Sequence, residues 1–232
     1  MNRIRIITAA IVVLLAGTTL VHAQGAGIEW DILNQEVMDL HQQGNYDRAV
    51  VVAQKALEVA KENVGPDHPN VAASLNNLAS LYDTPGDYAK AEPLYKRSLA
   101  IFVKALGPDH PNVATSLYNL ASLYDTQGDY AKAEPLYKRS LAIWEKALGP
   151  DHPNVATSLN NLASLYDTQG DYAKAEPLFK RSLAIREKAL GPDHPNVATS
   201  LENMAVLYRA TKRDKEAQEL EKRAERIRAI KR

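Results

Sequence analysis

Four histidines occur in the same short motif, Asp-His-Pro, and histidine is a common metal ligand and proton carrier. They are His68, His110, His152 and His194, and the same interval separates each copy from the next. If each copy belongs to a separate packed unit, neighbouring imidazoles are separated by roughly one helix spacing, 8–10 Å. A zinc ligand must lie at about 2 Å from its ion. The spacing therefore argues against a shared metal site and favours a loop position ahead of a proline that opens a helix.

Serine, aspartate and histidine are all present, but not in an arrangement that indicates catalysis. A Ser-His-Asp triad needs one convergent pocket, whereas here these residues recur from copy to copy of a repeated segment. The same objection applies to carboxylate pairs such as Asp87 and Glu92. The chain has no cysteine, which excludes a thiol nucleophile, a thiolate metal site and a disulfide. We therefore expect no enzymatic activity, no metal and no cofactor.

The overall charge gives no sign of a nucleic-acid partner. Lysine plus arginine and aspartate plus glutamate both number 28 in 232 residues, whereas binding phosphates requires a basic surface. Hydrophobic residues make up 45% of the chain but aromatic residues only 6%, so aliphatic side chains must provide most of the core. This composition favours helices packed on helices.

The N-terminus has the layout of a secretory signal peptide. Two arginines precede an apolar run over residues 6–16, and compact side chains follow at Val21 and Ala23. The apolar run is shorter than the roughly 20 residues that span a bilayer. We predict cleavage near Ala23, which removes residues 1–23 and leaves a periplasmic or secreted chain without a stable membrane span. An uncleaved membrane anchor is the alternative interpretation.

A hexapeptide, Gly-Pro-Asp-His-Pro-Asn, recurs at a constant interval and begins at Gly65, Gly107, Gly149 and Gly191. A fixed period of this size indicates stacked supersecondary units. Residues 107–148 differ from residues 149–190 only by the changes Tyr118 to Asn160, Tyr137 to Phe179 and Trp144 to Arg186. The structure of one period should therefore describe most of the chain.

Each period predicts two helices. The first, helix A, has one apolar stripe at helical spacing, formed in the 107–148 copy by Val113, Leu117, Leu120, Ala121 and Tyr124. It should begin at Pro111 and end near Gly128. Asp129 should cap helix B, which runs to Leu148. Neither helix can bury its stripe alone, so each must pack on its partner and on the next pair.

Helix B carries a proline about a turn and a half from its start, at Pro93, Pro135 and Pro177. Inside a helix, a proline removes one hydrogen bond and crowds the preceding turn. We predict a slight bend at these positions.

The segments on either side of the repeats are diverged copies. Residues 24–64 contain an N-terminal segment and a first helix pair with a diverged helix A, residues 65–190 contain three 42-residue repeats, and residues 191–232 contain a last repeat that ends in a capping helix. That last helix is dense in Lys, Arg and Glu, as suits the uncovered end of a solenoid. The sequence thus predicts an all-α solenoid of about five antiparallel helix pairs.

The most regular motif of each period is a Leu-Ala step followed by an aromatic residue, a turn glycine and a further alanine. One copy reads Leu75-Asn76-Asn77-Leu78-Ala79-x-Leu81-Tyr82, then Gly86-Asp87-Tyr88-x-x-Ala91-Glu92-Pro93-Leu94-Tyr95. This motif resembles the tetratricopeptide repeat, and the 42-residue period resembles the subclass found in kinesin light chains and many bacterial proteins. The resemblance covers about residues 30–230. It implies a right-handed superhelix that binds proteins or peptides, although a fold alone does not identify a partner.

The resemblance also implies a concave groove lined by the A helices. In the family, the asparagine before the Leu-Ala step often bonds the peptide backbone, and here it is Asn77, Asn119, Asn161 and Asn203. Neighbouring groove positions are Asn76, Tyr118, Asn160 and Glu202, then Ser80, Ser122 and Ser164, and then Asp83, Asp125 and Asp167. An amide both donates and accepts hydrogen bonds, so such a ladder could hold an extended backbone of any sequence. Alternatively, these side chains only cap helices or bridge adjacent A helices.

Several features of this groove bear on function. Family members that grip acidic peptides use lysine and arginine, which are absent from these groove positions, so we expect a neutral or basic protein or peptide as the partner. Tyr118 and Trp144 differ between repeats and are further candidates for partner contacts, unless Trp144 packs on its own solenoid. The sequence therefore predicts an exported, non-catalytic binding adaptor. The alternative is a structural scaffold or self-associating solenoid of the cell envelope, and an unrecognised enzyme is a third hypothesis.

Overall fold

A computed structural model describes residues 27–230 of the chain, and the described residues form ten α-helices and no strand. Helix α1 covers residues 27–42. The others are α2 (Tyr46–Val64), α3 (Pro69–Asp83), α4 (Tyr88–Leu106), α5 (Pro111–Thr126), α6 (Tyr130–Leu148), α7 (Pro153–Thr168), α8 (Tyr172–Leu190), α9 (Pro195–Ala210) and α10 (Asp214–Ile230). The predicted all-α architecture of antiparallel helix pairs is confirmed over this range. The signal peptide and the cleavage site near Ala23 lie outside it.

The A helices α3, α5, α7 and α9 all begin in the same way. The residue before each helix is a histidine in extended conformation, and its Nδ1 accepts a hydrogen bond from the backbone N–H two residues later, at 3.1 Å in each copy. A proline then occupies the first helical position, where the missing N–H has no partner to lose. The four Asp-His-Pro histidines are therefore helix N-caps.

The turn between helix A and helix B also follows local rules. Gly128 takes a left-handed conformation, with φ of 77°, which ends α5 at almost no steric cost. The carboxylate of Asp129 then caps α6 by accepting a hydrogen bond from the Lys132 N–H at 3.3 Å. Helix α6 continues unbroken through Pro135, which is exposed, so water can bond the carbonyl that lacks its partner. The bend expected at this proline remains a prediction.

The described helices form two compact units, α1 to α4 and α5 to α10. In both units, buried serines of helix B bond the backbone of the paired helix A. Ser98 Oγ donates to the Ala72 carbonyl at 2.7 Å in the first unit, and Ser140 Oγ donates to the Ala114 carbonyl at 2.8 Å in the second. Alanines with no exposed surface, such as Ala121 and Ala133, provide the room for this close approach.

In the second unit, two A helices also pack on the B helix of the preceding pair, α7 on α6 and α9 on α8. The two joints contain the same hydrogen bond. Tyr166 Oη donates to Glu134 Oε1 at 2.8 Å, and Tyr208 Oη donates to Glu176 Oε1 at 3.2 Å. Glu176 additionally accepts hydrogen bonds from Arg213 at 2.9 and 3.0 Å, which ties the last helix pair to α8.

Stability should depend on pH through Glu176. Hydrogen bonds from Lys180 and Arg213 lower the pKa of Glu176 from 4.5 to about 2, so the folded state favours its ionised form. This contribution is complete above pH 4.5 and is lost as the pH falls toward 2. We expect Glu176→Gln to lower the melting temperature at pH 7, where solvent screening keeps the effect modest, and to have little effect near pH 2. Thermal melts of both proteins across this pH range test the expectation.

Glu225→Gln is the control, because Glu225 is an exposed glutamate of α10 and its replacement removes the same charge. A difference between Glu176→Gln and the native chain that stays constant from pH 7 to pH 2 would contradict the assignment.

The last helix closes the second unit. Ala224 and Ile227 of α10 are buried against Val197, Ala198 and Leu201 of α9. Arg228 donates two hydrogen bonds to the carboxylate of Glu202, each at 2.6 Å. At the equivalent place one repeat earlier, Arg186 instead reaches forward and donates to Ser200 Oγ at 2.7 Å. Arg228 therefore makes its hydrogen bonds within its own helix pair, whereas Arg186 bonds to the next pair.

Candidate peptide-binding surface

Three of the four asparagines expected to line the groove, Asn77, Asn161 and Asn203, contact the preceding A helix. In the first unit, Asn77 Nδ2 donates to Asn34 Oδ1 at 3.0 Å. In the second unit, Asn161 Nδ2 donates to Tyr118 Oη at 2.7 Å, and Asn203 Nδ2 donates to Asn160 Oδ1 at 3.2 Å. Each of these amides thus uses a hydrogen bond to bridge successive A helices, the role that the sequence had offered as the alternative to peptide binding.

The bridging hydrogen bond does not use every donor and acceptor of these amides. A carboxamide has two N–H donors and an oxygen with two lone pairs, and the bridge uses one donor. Asn77, Asn119, Asn161 and Asn203 are all half-buried, so part of each side chain reaches the surface. Asn160 is different, because it is only 7% exposed. The bridge fixes the orientation of the Asn77, Asn161 and Asn203 amides, which lowers the entropic cost of a later contact. Whether these residues bind a peptide remains a prediction.

The two aromatic residues that distinguish the 107–148 copy contact each other. The ring of Tyr118 lies 5.6 Å from that of Trp144 and 5.7 Å from that of Tyr137. Trp144 is only 4% exposed, so it packs within its own unit and cannot anchor a partner from the surface. Tyr118 remains half-buried at the A-helix surface, and its hydroxyl is held by Asn161.

The tryptophan also leaves polar atoms unsatisfied. Trp144 Nε1 and Ser158 Oγ are both buried without a hydrogen-bond partner. One repeat later, the same two positions hold Arg186 and Ser200, which bond each other. The copy with Trp144 therefore has aromatic packing at the place where the copy with Arg186 has a hydrogen bond.

The three aspartates of the predicted groove are half-buried. Burial raises the pKa of Asp83, Asp125 and Asp167. Tyr137 Oη donates to Asp125 Oδ2 at 3.4 Å, and Tyr95 stands in the same position relative to Asp83. Asp167 differs, because Phe179 occupies the tyrosine position and Asp167 Oδ1 is buried without a partner.

Phe179→Tyr should stabilise the chain. The new hydroxyl would lie at the position that the Tyr137 hydroxyl occupies one repeat earlier, so it could donate to Asp167. One hydrogen bond of this kind contributes about 1 kcal/mol, somewhat more when the acceptor is charged. Urea unfolding followed by circular dichroism should show a higher midpoint. The reverse change, Tyr137→Phe, is the matched control and should destabilise. A midpoint that falls for Phe179→Tyr would show that Asp167 is satisfied in another way.

A cavity between α1 and α3 adds residues that the sequence analysis did not identify. It has a volume of about 270 Å³ and is lined by Val37, Met38, His41, Gln42, Asn77, Ser80 and Leu81. Two of these, Asn77 and Ser80, are among the predicted groove residues. The α1 residues were missed because α1 was treated only as a diverged copy. Counting back one repeat period from Ser80 and Asp83 gives Met38 and His41, a signal that could have found them.

Charge is distributed unequally between the two kinds of helix. Residues 27–42 and helices α3, α5 and α7 contain no lysine or arginine. Helix α9 contains Arg209, whose guanidinium donates to Glu221 at 2.6 and 2.8 Å. The A helices therefore offer carboxylates and amides, while most cations lie on the B helices.

Two further findings bear on chemistry. Within residues 27–230, His, Asp and Glu side chains form no group of three or more that could hold a metal ion. None of the helices in this range combines the length and the apolar character needed to cross a membrane.

Comparison with known proteins agrees with the geometry. The family model described as tetratricopeptide repeat matches residues 31–102, 86–146, 126–188 and 168–229. A Podosopora anserina protein assigned as a kinesin light chain, with nearly identical TPR-like repeats, is 28% identical with a TM-score of 0.71, covering 87% of this chain and 96% of that one. BtubC (BKLC) from P. vanneervenii is 24% identical with a TM-score of 0.74, covering 91% of both chains. Among curated proteins there is no significant match.

A more distant structure shows the same fold. PilF of Pseudomonas aeruginosa is 21% identical with a TM-score of 0.65, covering 87% of this chain and 78% of that one.

Proposed function

Because the chain belongs to the tetratricopeptide repeat family, whose members bind proteins or peptides, we propose that it is a non-catalytic adaptor that holds a partner segment on its A-helix surface. The observation that carries the proposal is the recurrence of half-buried asparagine amides on helices that, in the first four pairs, carry no lysine or arginine. Amides can bond an extended backbone without reading its sequence. The partner is a neutral or basic protein or peptide segment.

Electrostatics supports that partner class. Asp83, Asp125 and Asp167 lie on the A helices, and on α3, α5 and α7 no lysine or arginine offsets them. Coulombic attraction between half-buried carboxylates and a cationic segment is screened less than attraction between fully exposed charges. An acidic segment would meet repulsion and would find no guanidinium or ammonium group on these three helices.

A capture experiment with residues 24–232 tests the proposal. One variant changes Asn77, Asn119, Asn161 and Asn203 to alanine, and a second changes Asp83, Asp125 and Asp167 to asparagine, which leaves the amide bridges intact. We expect both variants to lose the partner that the native chain retains. Because the first variant also breaks bridges between helices, circular dichroism and a thermal melt must first show native helicity at the assay temperature.

The matched control changes Arg97, Arg139 and Arg181 to alanine. These arginines are exposed, recur at the same register and lie on the B helices, so the control should retain the partner. If the native chain and both A-helix variants capture the same proteins, the A-helix surface is not the binding site. The alternative function, a scaffold or self-associating solenoid of the cell envelope, would then be favoured, and the arginine variant would report on the outer surface.

We also propose that the chain acts in the periplasm or is secreted. Support comes from the basic N-terminus, the apolar run over residues 6–16 and the small residue at Ala23. Expression of the full chain in a bacterial host, followed by N-terminal sequencing of the periplasmic fraction, tests this. Retention of residues 1–23 on a membrane-bound product would refute cleavage.

A further inference from the structure

The cavity between α1 and α3 differs chemically from the corresponding surface of α5 and α7. Its floor is apolar, because Val37 and Leu81 line it and are 4% and 1% exposed. Met38 stands at its edge with 51% of its surface exposed. At the equivalent position the next three repeats carry serine, at Ser80, Ser122 and Ser164. The first unit thus combines a buried apolar floor with an adaptable apolar edge.

Two of the polar side chains around this cavity, Asn77 and His41, are held by contacts within the first unit. Asn77 is held by its hydrogen bond to Asn34 at 3.0 Å. The ring of His41 packs edge-on against Tyr46, with centroids 5.4 Å apart and planes at 77°. Ligand sites generally combine an apolar lining with a few oriented polar groups. At about 270 Å³, this cavity is of a size for one side chain rather than for a whole small molecule.

The charges around the cavity select among possible occupants. Residues 27–42 and α3 carry Glu29, Asp31, Glu36, Asp39 and Asp83 but no lysine or arginine. Lys55 and Arg48 of α2 pair with Glu29 and Glu36. Asp83 lies one turn beyond Ser80 on the same face of α3, so a cationic group beside the cavity would meet a carboxylate.

We propose that this cavity receives one large aliphatic or aromatic side chain of an extended, basic segment of a partner protein, while Asn77 and Ser80 bond the backbone beside it. This inference rests on the proposed adaptor function and assigns its N-terminal subsite. The anchor side chain supplies apolar burial, and the flanking lysine or arginine supplies the complementary charge.

Selection from a phage-displayed library of random dodecapeptides on immobilised residues 24–232 provides the test. We expect the selected peptides to share one Leu, Ile, Met, Phe or Trp flanked by Lys or Arg. The tightest peptide, labelled with a fluorophore, then serves as the probe in anisotropy titrations. Raising the salt concentration should weaken its binding, because salt screens charge pairs.

Ser80→Met fills the cavity and should lower the affinity for the labelled peptide at least about tenfold. The control is Ala100→Met, which adds the same side chain at an exposed position of helix α4 in the same unit, away from the A helices, and should leave affinity within about twofold. Ser80 neighbours the buried Tyr95, so circular dichroism spectra and melting temperatures must first show that Ser80→Met folds as the native chain does.

The outcomes separate the two proposals. If no peptide is enriched by the native chain, both the adaptor function and the subsite are wrong. If peptides are enriched but Ser80→Met and Ala100→Met bind them equally, the adaptor function stands and the subsite is wrong. Enrichment of acidic peptides, or of basic peptides without an apolar residue, also overturns the subsite.

Discussion

Replacing Trp144 with alanine should lower the free energy of unfolding by about 3–5 kcal/mol, the range typical of a tryptophan removed from a core. Trp144 is 4% exposed and contacts the ring of Tyr118 at 5.6 Å, so its loss leaves a cavity inside the second unit. Urea unfolding monitored by circular dichroism measures the change. Because repeat arrays can unfold in parts, tyrosine fluorescence should be followed in parallel.

Trp144→Phe is the matched control for this prediction. Phenylalanine occupies the equivalent position, Phe102, in the preceding repeat, and it removes the indole N–H that has no partner. Relief from an unsatisfied donor offsets part of the lost packing, so this variant should lose far less stability than the alanine variant. If Trp144→Ala changes the free energy of unfolding by less than about 1 kcal/mol, well below the range for a buried tryptophan, Trp144 does not form part of the core.

Ile227→Ala should have the second largest effect, about 2–5 kcal/mol, concentrated in the last helix pair. Ile227 is 2% exposed and belongs to the cluster formed by α9 and α10. Among the described helices α10 packs mainly on α9, and Leu183 and the Arg223–Glu187 ion pair link it to α8. Weakening the contact with α9 should therefore release α10 before the rest of the unit unfolds. Hydrogen exchange of α10 amides should accelerate strongly, while amides of α5 and α6 keep their protection.

Ile230→Ala is the control, since Ile230 carries the same side chain on the same helix but is 65% exposed. It should leave exchange in the body of α10 nearly unchanged. Equal acceleration in the two variants would indicate that α10 is held by its ends or its ion pairs rather than by its apolar face.

Local chemistry made the helices predictable from the sequence. A proline after histidine marks the start of α3, α5, α7 and α9. A glycine with left-handed backbone follows α3, α5 and α7, and Asp129 caps the helix after α5. These signals act over a few residues, and they recur because the segment is repeated. The number of helix pairs followed directly from the constant period of the repeat.

The surface was less predictable, because its contacts depend on how successive pairs stack. The sequence placed Asn161 in a groove, but its bond to Tyr118 joins residues 43 positions apart. The burial of Trp144 and the unpaired oxygen of Asp167 likewise result from neighbours supplied by other helices. The cavity beside Met38 was missed for a related reason, since α1 departs from the repeat and the cavity forms only where α1 packs against α3.

The joints of the second unit carry an evolutionary consequence. The tyrosine–glutamate bond between α6 and α7 is repeated between α8 and α9, and the copies that supply the two glutamates, residues 107–148 and 149–190, are nearly identical in sequence. A copy gained or lost by unequal recombination would meet its neighbours through contacts that already exist. The second unit is therefore free to vary in length by whole copies, as long as α9 and α10 remain its last pair.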